Sequence, residues 1–310
     1  MTVIWIWPIV ALGLGVALGF WGCRLYSWAQ PEPTTVLATP QAANVGIASL
    51  PPNITNPVDW VQSIHWAQPD ASALQAAAPV LSKQPALVDA LLARFGSESN
   101  ETAKLNLLRF LTDSPTEYLL TQATAWAADR ADVDKYRNGM QLLSFLPPTP
   151  QAVHIARQAL DQTADPQILS FALMAFRPEE PFNPQEVLVR LPQFHALTQH
   201  PLAVVRTHSI QRLAEWDRAE QYLVADVMRL LNDPDHETRI AAIGATSIAG
   251  LKGAELRKRL LAILSDPQED PELRSVAHMQ MSRFAFTPEE YETYTSATNQ
   301  LIEGAATQKP

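Results

Sequence analysis

The residues most able to do chemistry in this chain are its histidines and its paired glutamates. His195, His200 and His208 fall within 14 residues of one another, a density that could bring imidazoles together around a metal ion. They lie across a predicted helix break, however, and no two of the seven histidines are three or four residues apart, the spacing that places both on one helix face. The glutamates at 179–180 and at 289–290 are sequence neighbours that point to different faces, so neither pair fits an acid–base couple. We therefore expect solvated histidines or helix caps.

Sequence motifs for catalysis are absent as well. The chain has no His-Glu-x-x-His, Walker A loop, Gly-x-Ser-x-Gly elbow or Cys-x-x-Cys. Cys23 is the single cysteine, which excludes a disulfide within one chain. The sequence thus predicts no catalytic, cofactor-binding or metal-binding residue and no enzyme activity.

A repeated pattern dominates the last two thirds of the chain. The pattern apolar–basic–x–x–small is clearest at 205–209, 238–242 and 273–277, is weaker at 103–107 and 136–140, and has lost its basic residue at 168–172. Its second positions are 104, 137, 169, 206, 239 and 274, which are 33, 32, 37, 33 and 35 residues apart. A period of this size indicates stacked units, each too small to bury its own apolar face.

The elements that carry this pattern are predicted to be short helices. Ser114-Pro115, Asn183-Pro184 and Thr287-Pro288 each combine a capping side chain with a proline and a following glutamate, which is typical of a helix start. The predicted helices are 57–67, 71–82, 85–95, 100–112, 115–128, 132–146, 150–162, 166–176, 184–198, 202–215, 218–231, 236–249, 254–265, 271–285 and 288–302. Consecutive helices of this set pair into about six or seven hairpins.

Residues 230–242 resemble a HEAT repeat, since leucines end the first helix, Asp233 occupies the turn, and Thr238-Arg239-Ile-Ala-Ala242 opens the second helix. The segments 261–277 and 200–216 are similar, the match is weaker over 100–180, and related solenoids such as armadillo arrays stay open. The resemblance implies an all-α, right-handed α-solenoid whose second helices line the concave side. It also implies that Asp233 and Arg239 join a ladder of turn-to-helix contacts.

Two groups of residues are assigned roles from this resemblance. Arg206, Arg239 and Arg274 are interpreted as structural members of the ladder, together with Asp233, rather than as a ligand-binding row. Polar residues on the second helices are the candidate interaction face. They are His208, Gln211, His278 and Arg283.

The first 56 residues are predicted to tether the repeats. Residues 3–23 carry no charge and have tryptophans near both ends, which is typical of a single transmembrane helix. Ala11, Gly15 and Gly19 form a small-residue stripe through which two such helices could pack as a homodimer. Residues 24–56 are a linker rich in Pro, Ala and Thr. Cleavage or lipidation at Cys23 stays open, as does the side of the membrane on which the repeats lie.

These observations predict a membrane-tethered, single-pass scaffold of a bacterial inner membrane. A HEAT-like repeat domain over 57–303 would bind another protein, residues 3–23 would contact the lipid bilayer, and 304–310 would be a disordered tail. A HEAT-like enzyme or enzyme subunit of the bilin lyase type is one alternative, and a HEAT-like nucleic-acid-binding protein is another. A net charge of −9 opposes the nucleic-acid reading, since phosphate binding needs a basic face. We expect no cofactor and no nucleic-acid partner.

Overall fold

Every regular element in the computed structural model is an α-helix within the residues it describes, 56–177 and 183–307, and these ranges contain no strand. The helices in these ranges are α1 (Pro57–Ser63), α2 (Ala71–Leu81), α3 (Pro85–Ser97), α4 (Glu101–Asp113), α5 (Glu117–Ala128), α6 (Val133–Phe145), α7 (Pro150–Gln162), α8 (Pro166–Ala175), α9 (Pro184–Leu197), α10 (Ala203–Trp216), α11 (Leu223–Leu230), α12 (His236–Ile248), α13 (Ala254–Ser265), α14 (Pro271–Met281) and α15 (Pro288–Thr307).

Short polar side chains begin most of these helices, as the sequence predicts. Asn183 caps α9 by accepting a hydrogen bond from the amide of Gln185 at 3.0 Å. Thr287 and Glu290 form a reciprocal capping box, in which each backbone amide donates to the other side chain, at 2.9 and 3.3 Å. The predicted cap at Ser114 is wrong: Thr116 caps α5, because Ser114 already ends α4.

The helices from α3 to α14 form six hairpins that alternate between two layers. The even-numbered helices from α4 to α14 pack side by side, each against the next even-numbered helix. In the other layer α1 packs on α3, α3 on α5, α5 on α7, and α13 on α15. Consecutive hairpins therefore stack in register, and the described residues form a helical-repeat protein.

The repeat pattern exists because its first and last residues face the core. They are four residues apart on an even-numbered helix, a spacing that places both on one face. The first positions are at most 8 % exposed, and the last positions are all completely buried. The first positions are Ala103, Tyr136, Ile168, Val205, Thr238 and Leu273, and the last are Leu107, Met140, Ala172, Ser209, Ala242 and Ala277.

Helix α1 covers the first end of the stack. Its Trp60 is buried, and Trp66, which we expected within the same helix, lies beyond the end of α1. Trp66 is 1 % exposed and its indole Nε1 donates to the carbonyl of Val61 at 3.0 Å, so the chain folds back and seats the ring. The aromatic pair therefore belongs to the core.

Several helix ends differ from the sequence-based boundaries, and two of them differ by five residues. Helix α11 begins at Leu223 rather than at 218, because the buried carboxylate of Asp217 accepts hydrogen bonds from the amides of Gln221, Tyr222 and Leu223. At the other end of the stack, α15 continues to Thr307, which places helix in part of the segment 304–310 where we expected a disordered tail.

The predicted fold class needs one correction, which concerns the membrane. No helix within 56–177 and 183–307 is both long and apolar enough to cross a bilayer. The transmembrane helix that we expected over 3–23, with its stripe of Ala11, Gly15 and Gly19, lies outside the described residues. The fold that the structure supports is the all-α repeat array alone, and its helices have the length of ordinary packed hairpins.

Candidate functional site

Arg206 joins two consecutive units of the stack. Its Nε and Nη2 donate to the two carboxylate oxygens of Asp233 at 2.8 and 2.6 Å, a bidentate pair between the first turn of α10 and the turn before α12. Its Nη1 donates to the carbonyls of His200 and Pro201 at 3.0 and 2.9 Å. Both side chains of the ion pair are largely buried, at 12 % and 7 % exposed. The Arg206 guanidinium thus contacts both the turn before its own helix and the turn inside the following hairpin.

The ionisation of Asp233 follows from this geometry. Burial by itself would raise the pKa of the carboxyl group. The hydrogen bonds from Arg206 and from the amide of Asp235, with the charge of Arg206, outweigh burial and hold the pKa of Asp233 below its usual value. Asp233 therefore stays ionised at neutral pH.

The remaining arginines show how the ladder differs from expectation. Asp233 and Arg239 were expected to share a contact between side chains, but Arg239 donates to the backbone carbonyl of Asp233 at 2.9 Å. Nη2 of Arg239 donates to the carboxylate of Glu269 in the following unit, at 3.4 Å. Arg206 and Arg239 each reach the turn between the two helices of the following hairpin, so the acidic partner comes from the next repeat. Arg274 departs from this rule, since its Nε donates to the carbonyl of Leu264 in its own unit.

The α7–α8 hairpin lacks the basic residue of the repeat pattern, and its charged contacts with the next hairpin lie in the layer of odd-numbered helices. Leu169 occupies the basic position in α8, where no side-chain hydrogen bond can form. Nearby, Arg157 of α7 makes a bidentate pair with Glu186 of α9, with contacts of 2.5 and 3.0 Å. Arg190 of α9 pairs with Asp161 of α7 in the same way. Charge pairs between odd-numbered helices therefore connect this unit to the next one, where the even layer has no arginine contact from position 169.

The candidate interaction residues on α10 are less accessible than we expected. His208 is only 6 % exposed, so its imidazole cannot present a polar surface to a partner. Burial lowers the pKa of His208 to about 4, with a smaller lowering by the charge of Arg212, against a hydrogen bond to the side-chain oxygen of Gln211 that raises the pKa. Gln211 is half-buried and lies one turn further along the helix.

The other two candidates, His278 in α14 and Arg283 just after its end, are engaged within the fold. His278 stacks on Tyr294 of α15, with ring centroids 5.5 Å apart, and its Nε2 lies 3.0 Å from the phenol oxygen. Arg283 donates to Gln280 at 2.9 Å and to the carbonyl of Thr246 at 3.3 Å. Burial lowers the pKa of His278 below its usual value. Both residues connect α14 to neighbouring helices, which sequence periodicity alone did not indicate.

The middle of the solvent-facing surface of helices α8, α10, α12 and α14 is instead uncharged. The position five residues after the basic position forms a row across α8, α10, α12 and α14, and the adjacent turns add two apolar side chains. We call this surface the central face. It comprises Phe171, Met174, Gln211, Ile240, Gly244 and Met279. The sequence contains the signal, because helix α8 has no charged residue and α12 has none after Arg239.

The central face is partly open to solvent, although Phe171 and Ile240 also pack against the core. Met279 is 52 % exposed, and Met174 and Ile240 are half-buried. A Cβ atom added at Gly244 would meet nothing within 4 Å. The opposite layer carries exposed side chains of both kinds: Glu255 and Lys258 of α13 are 79 % and 64 % exposed, and Leu188 of α9 is 69 % exposed.

The three clustered histidines do not meet. Nδ1 of His195 lies 2.7 Å from the buried carboxylate of Asp226, while Nδ1 of His200 accepts a hydrogen bond from the amide of Leu202. His208 contacts Gln211. Each imidazole thus has its own protein partner, and the geometry brings no two of these rings to one ion.

No protein-family model matches the chain, and no curated protein matches its sequence. Among solved structures, the X-ray structure of YibA from Escherichia coli is similar, with a TM-score of 0.48 and 17 % identity over 69 % of this chain and 76 % of that one.

Proposed function

We propose that this chain is a HEAT-like repeat scaffold that binds another protein through the central face and has no catalytic activity of its own. The observation that carries the proposal is the uncharged row that crosses four consecutive even-numbered helices. The HEAT-like assignment is supported by the basic residues that open the even-numbered helices and by their contacts with the turn of the following unit.

The chemistry of the central face restricts its partner. A charged side chain placed against Met174, Ile240 or Met279 would lose its water without gaining a counter-charge, which is costly. An uncharged apolar segment has no such hydration to lose. Burying thioether and aliphatic surface against it would stabilise the complex by about 25 cal/mol per Å². Methionine side chains also adapt to varied partner shapes. We therefore assign the face to an apolar segment of a partner protein.

Site-specific crosslinking tests this assignment. Gly244→p-benzoylphenylalanine in the full chain, irradiated in the cells that produce it, should give a discrete crosslinked species. Adding Met279→Glu should reduce its yield at least tenfold, because a carboxylate would be desolvated in the interface. The matched control is Val224→Glu on the odd-numbered helix α11, which should leave the yield unchanged. Val224 is apolar and 42 % exposed, against 52 % for Met279.

The crosslinked peptide decides the outcome. A segment of another protein with apolar residues at the crosslink supports the proposal. A nucleic acid, a strongly charged segment, no crosslink at all, or equal sensitivity to both glutamate substitutions contradicts it.

A further inference from the structure

The geometry points to a binding site for a divalent transition-metal ion at the junction of the last two full repeats, formed by His236, Asp270 and Glu272. His236 is the first residue of α12, Asp270 caps α14, and Glu272 is the second residue of α14. One ligand atom from each residue lies within 4.8 Å of the ligand atoms of the other two. The site is independent of the protein-binding function proposed above.

The separation of the ligand atoms suits one ion. Bonds of about 2.1 Å to a tetrahedral ion place neighbouring ligand atoms about 3.4 Å apart. Nε2 of His236 and Oε2 of Glu272 lie 3.4 Å apart. That distance is long for a hydrogen bond between nitrogen and oxygen, whose usual range is about 2.7–3.2 Å. The two atoms form a long polar contact in this structure, and their separation is also the one that two ligands of a single ion adopt.

The donor set selects the kind of ion. A neutral imidazole with two carboxylates carries a charge of −2, which attracts a dication. Calcium and magnesium prefer sites made of oxygen alone, whereas zinc, cobalt and other first-row transition ions accept nitrogen and oxygen together. Water can complete the coordination, since the side chains of His236 and Glu272 are 31 % and 32 % exposed.

Neighbouring contacts orient the ligands and reduce competition from cations. Oδ1 of Asp270 accepts from the amide of Glu272 at 2.8 Å, which orients the carboxylate and leaves Oδ2 for the ion. The nearby guanidinium of Arg239 is paired with Glu269, whose carboxylate also accepts from the amide of Asp270 at 3.0 Å. The adjacent arginine therefore has its own counter-charge.

An ion at this position would connect the starts of α12 and α14 and so staple two repeats. Because the ion binds the folded state, it should raise the melting temperature of the full chain in proportion to the logarithm of its concentration. Zinc bridging would stabilise the same junction that Arg239 and Glu269 hold.

Metal titration of the full chain tests the site. After treatment with a chelator, isothermal titration with Zn²⁺ should show one ion bound per chain through this site, and Co²⁺ should give the visible absorption of a four- or five-coordinate site. His236→Ala and Glu272→Gln should each weaken Zn²⁺ binding at least tenfold. Asp270→Asn should do the same while keeping the helix cap, since asparagine caps as well as aspartate.

The control is His154→Ala, which removes an exposed histidine of α7 and should leave the affinity unchanged. Zn²⁺ binding weaker than about 1 mM, binding unaffected by the three site variants, or equal loss in His154→Ala would overturn the proposal. So would Ca²⁺ binding that matches Zn²⁺ and ignores His236→Ala, since that describes a simple acidic surface.

Discussion

At the scale of single residues, burial decides what a charged or polar side chain does in this array. The pair of Arg206 with Asp233 is nearly closed to water, whereas the equivalent pair of Arg137 with Asp165 is about one-third exposed on both sides. Exposed pairs contribute little, and a buried pair is costly to break because one charge is left without a partner. The same residue type in the same repeat position therefore has unequal structural weight.

His208 makes the stability of the fold depend on pH. An unfolded histidine titrates near pH 6.5, and His208 in the folded chain titrates at about 4. Between these values the unfolded chain binds more protons, so the stabilisation is complete above about pH 6.5 and is lost as the pH falls toward 4. Between pH 7.5 and pH 5, the contribution of His208 to the free energy of unfolding should fall by about 2 kcal/mol.

Urea unfolding of wild type and His208→Leu at the two pH values measures this contribution. On acidification, the free energy of unfolding of the variant should fall by about 2 kcal/mol less than that of the wild type. His154→Leu, at an exposed position, should behave as the wild type does. If His208→Leu kept the full pH dependence, the buried imidazole would not be its source.

At the scale of helices, close backbone approach controls the packing of α5 on α6. A Cβ atom at Gly139 would lie 2.2 Å from the amide nitrogen of Ala127 and 2.6 Å from the carbonyl carbon of Trp126. Both contacts are with backbone atoms, which cannot move aside as a flexible side chain could. Only glycine permits this approach, so one missing side chain sets the distance between two helices.

Paired glycine substitutions test this interpretation. Gly139→Ala should lower the free energy of unfolding by about 1–3 kcal/mol through overpacking. Gly244→Ala, in the middle of α12 with open space around it, should raise that free energy by up to about 1 kcal/mol, because alanine favours helix. Urea denaturation of both variants provides the measurement. Changes of the same sign at the two positions would contradict the assigned geometry.

At the scale of the whole described array, stability is distributed among neighbouring units. In a stack of repeats each unit contacts only its neighbours, so damage at one end need not spread to the other. Trp66 is the largest fully buried side chain near the first end, and its ring lies 5.9 Å from that of Phe110 in α4. Its loss should therefore be a local event.

Hydrogen exchange of Trp66→Ala can follow this event. The substitution should cost about 3–5 kcal/mol in the first units, as a large cavity does. Amide protection in α1, α3 and α4 should fall, while protection in α12 and α14 stays within a few-fold of the wild type. A uniform fall across all helices would show that the array unfolds as one cooperative body instead.

The sequence by itself determined the features that depend on local chemistry. The cap at Asn183 and the capping box at Thr287 follow from side chains within three residues of the amides that they satisfy. The repeat pattern marks buried positions because the four-residue spacing from Val205 to Ser209 is a property of any helix. The alternation of short helices and turns could therefore be predicted before any contact between them was known.

Only the tertiary structure decided which side chains meet between repeats and which remain exposed. Helical periodicity placed His208 on the second helix but could not show that neighbouring helices cover it. Arg206 contacts Asp233, which lies 27 residues further along the chain, because the stack brings the turns of successive hairpins side by side. The central face and the site at His236 likewise combine residues from different repeats, and their proximity arises from the packing distance between helices, which no single segment encodes.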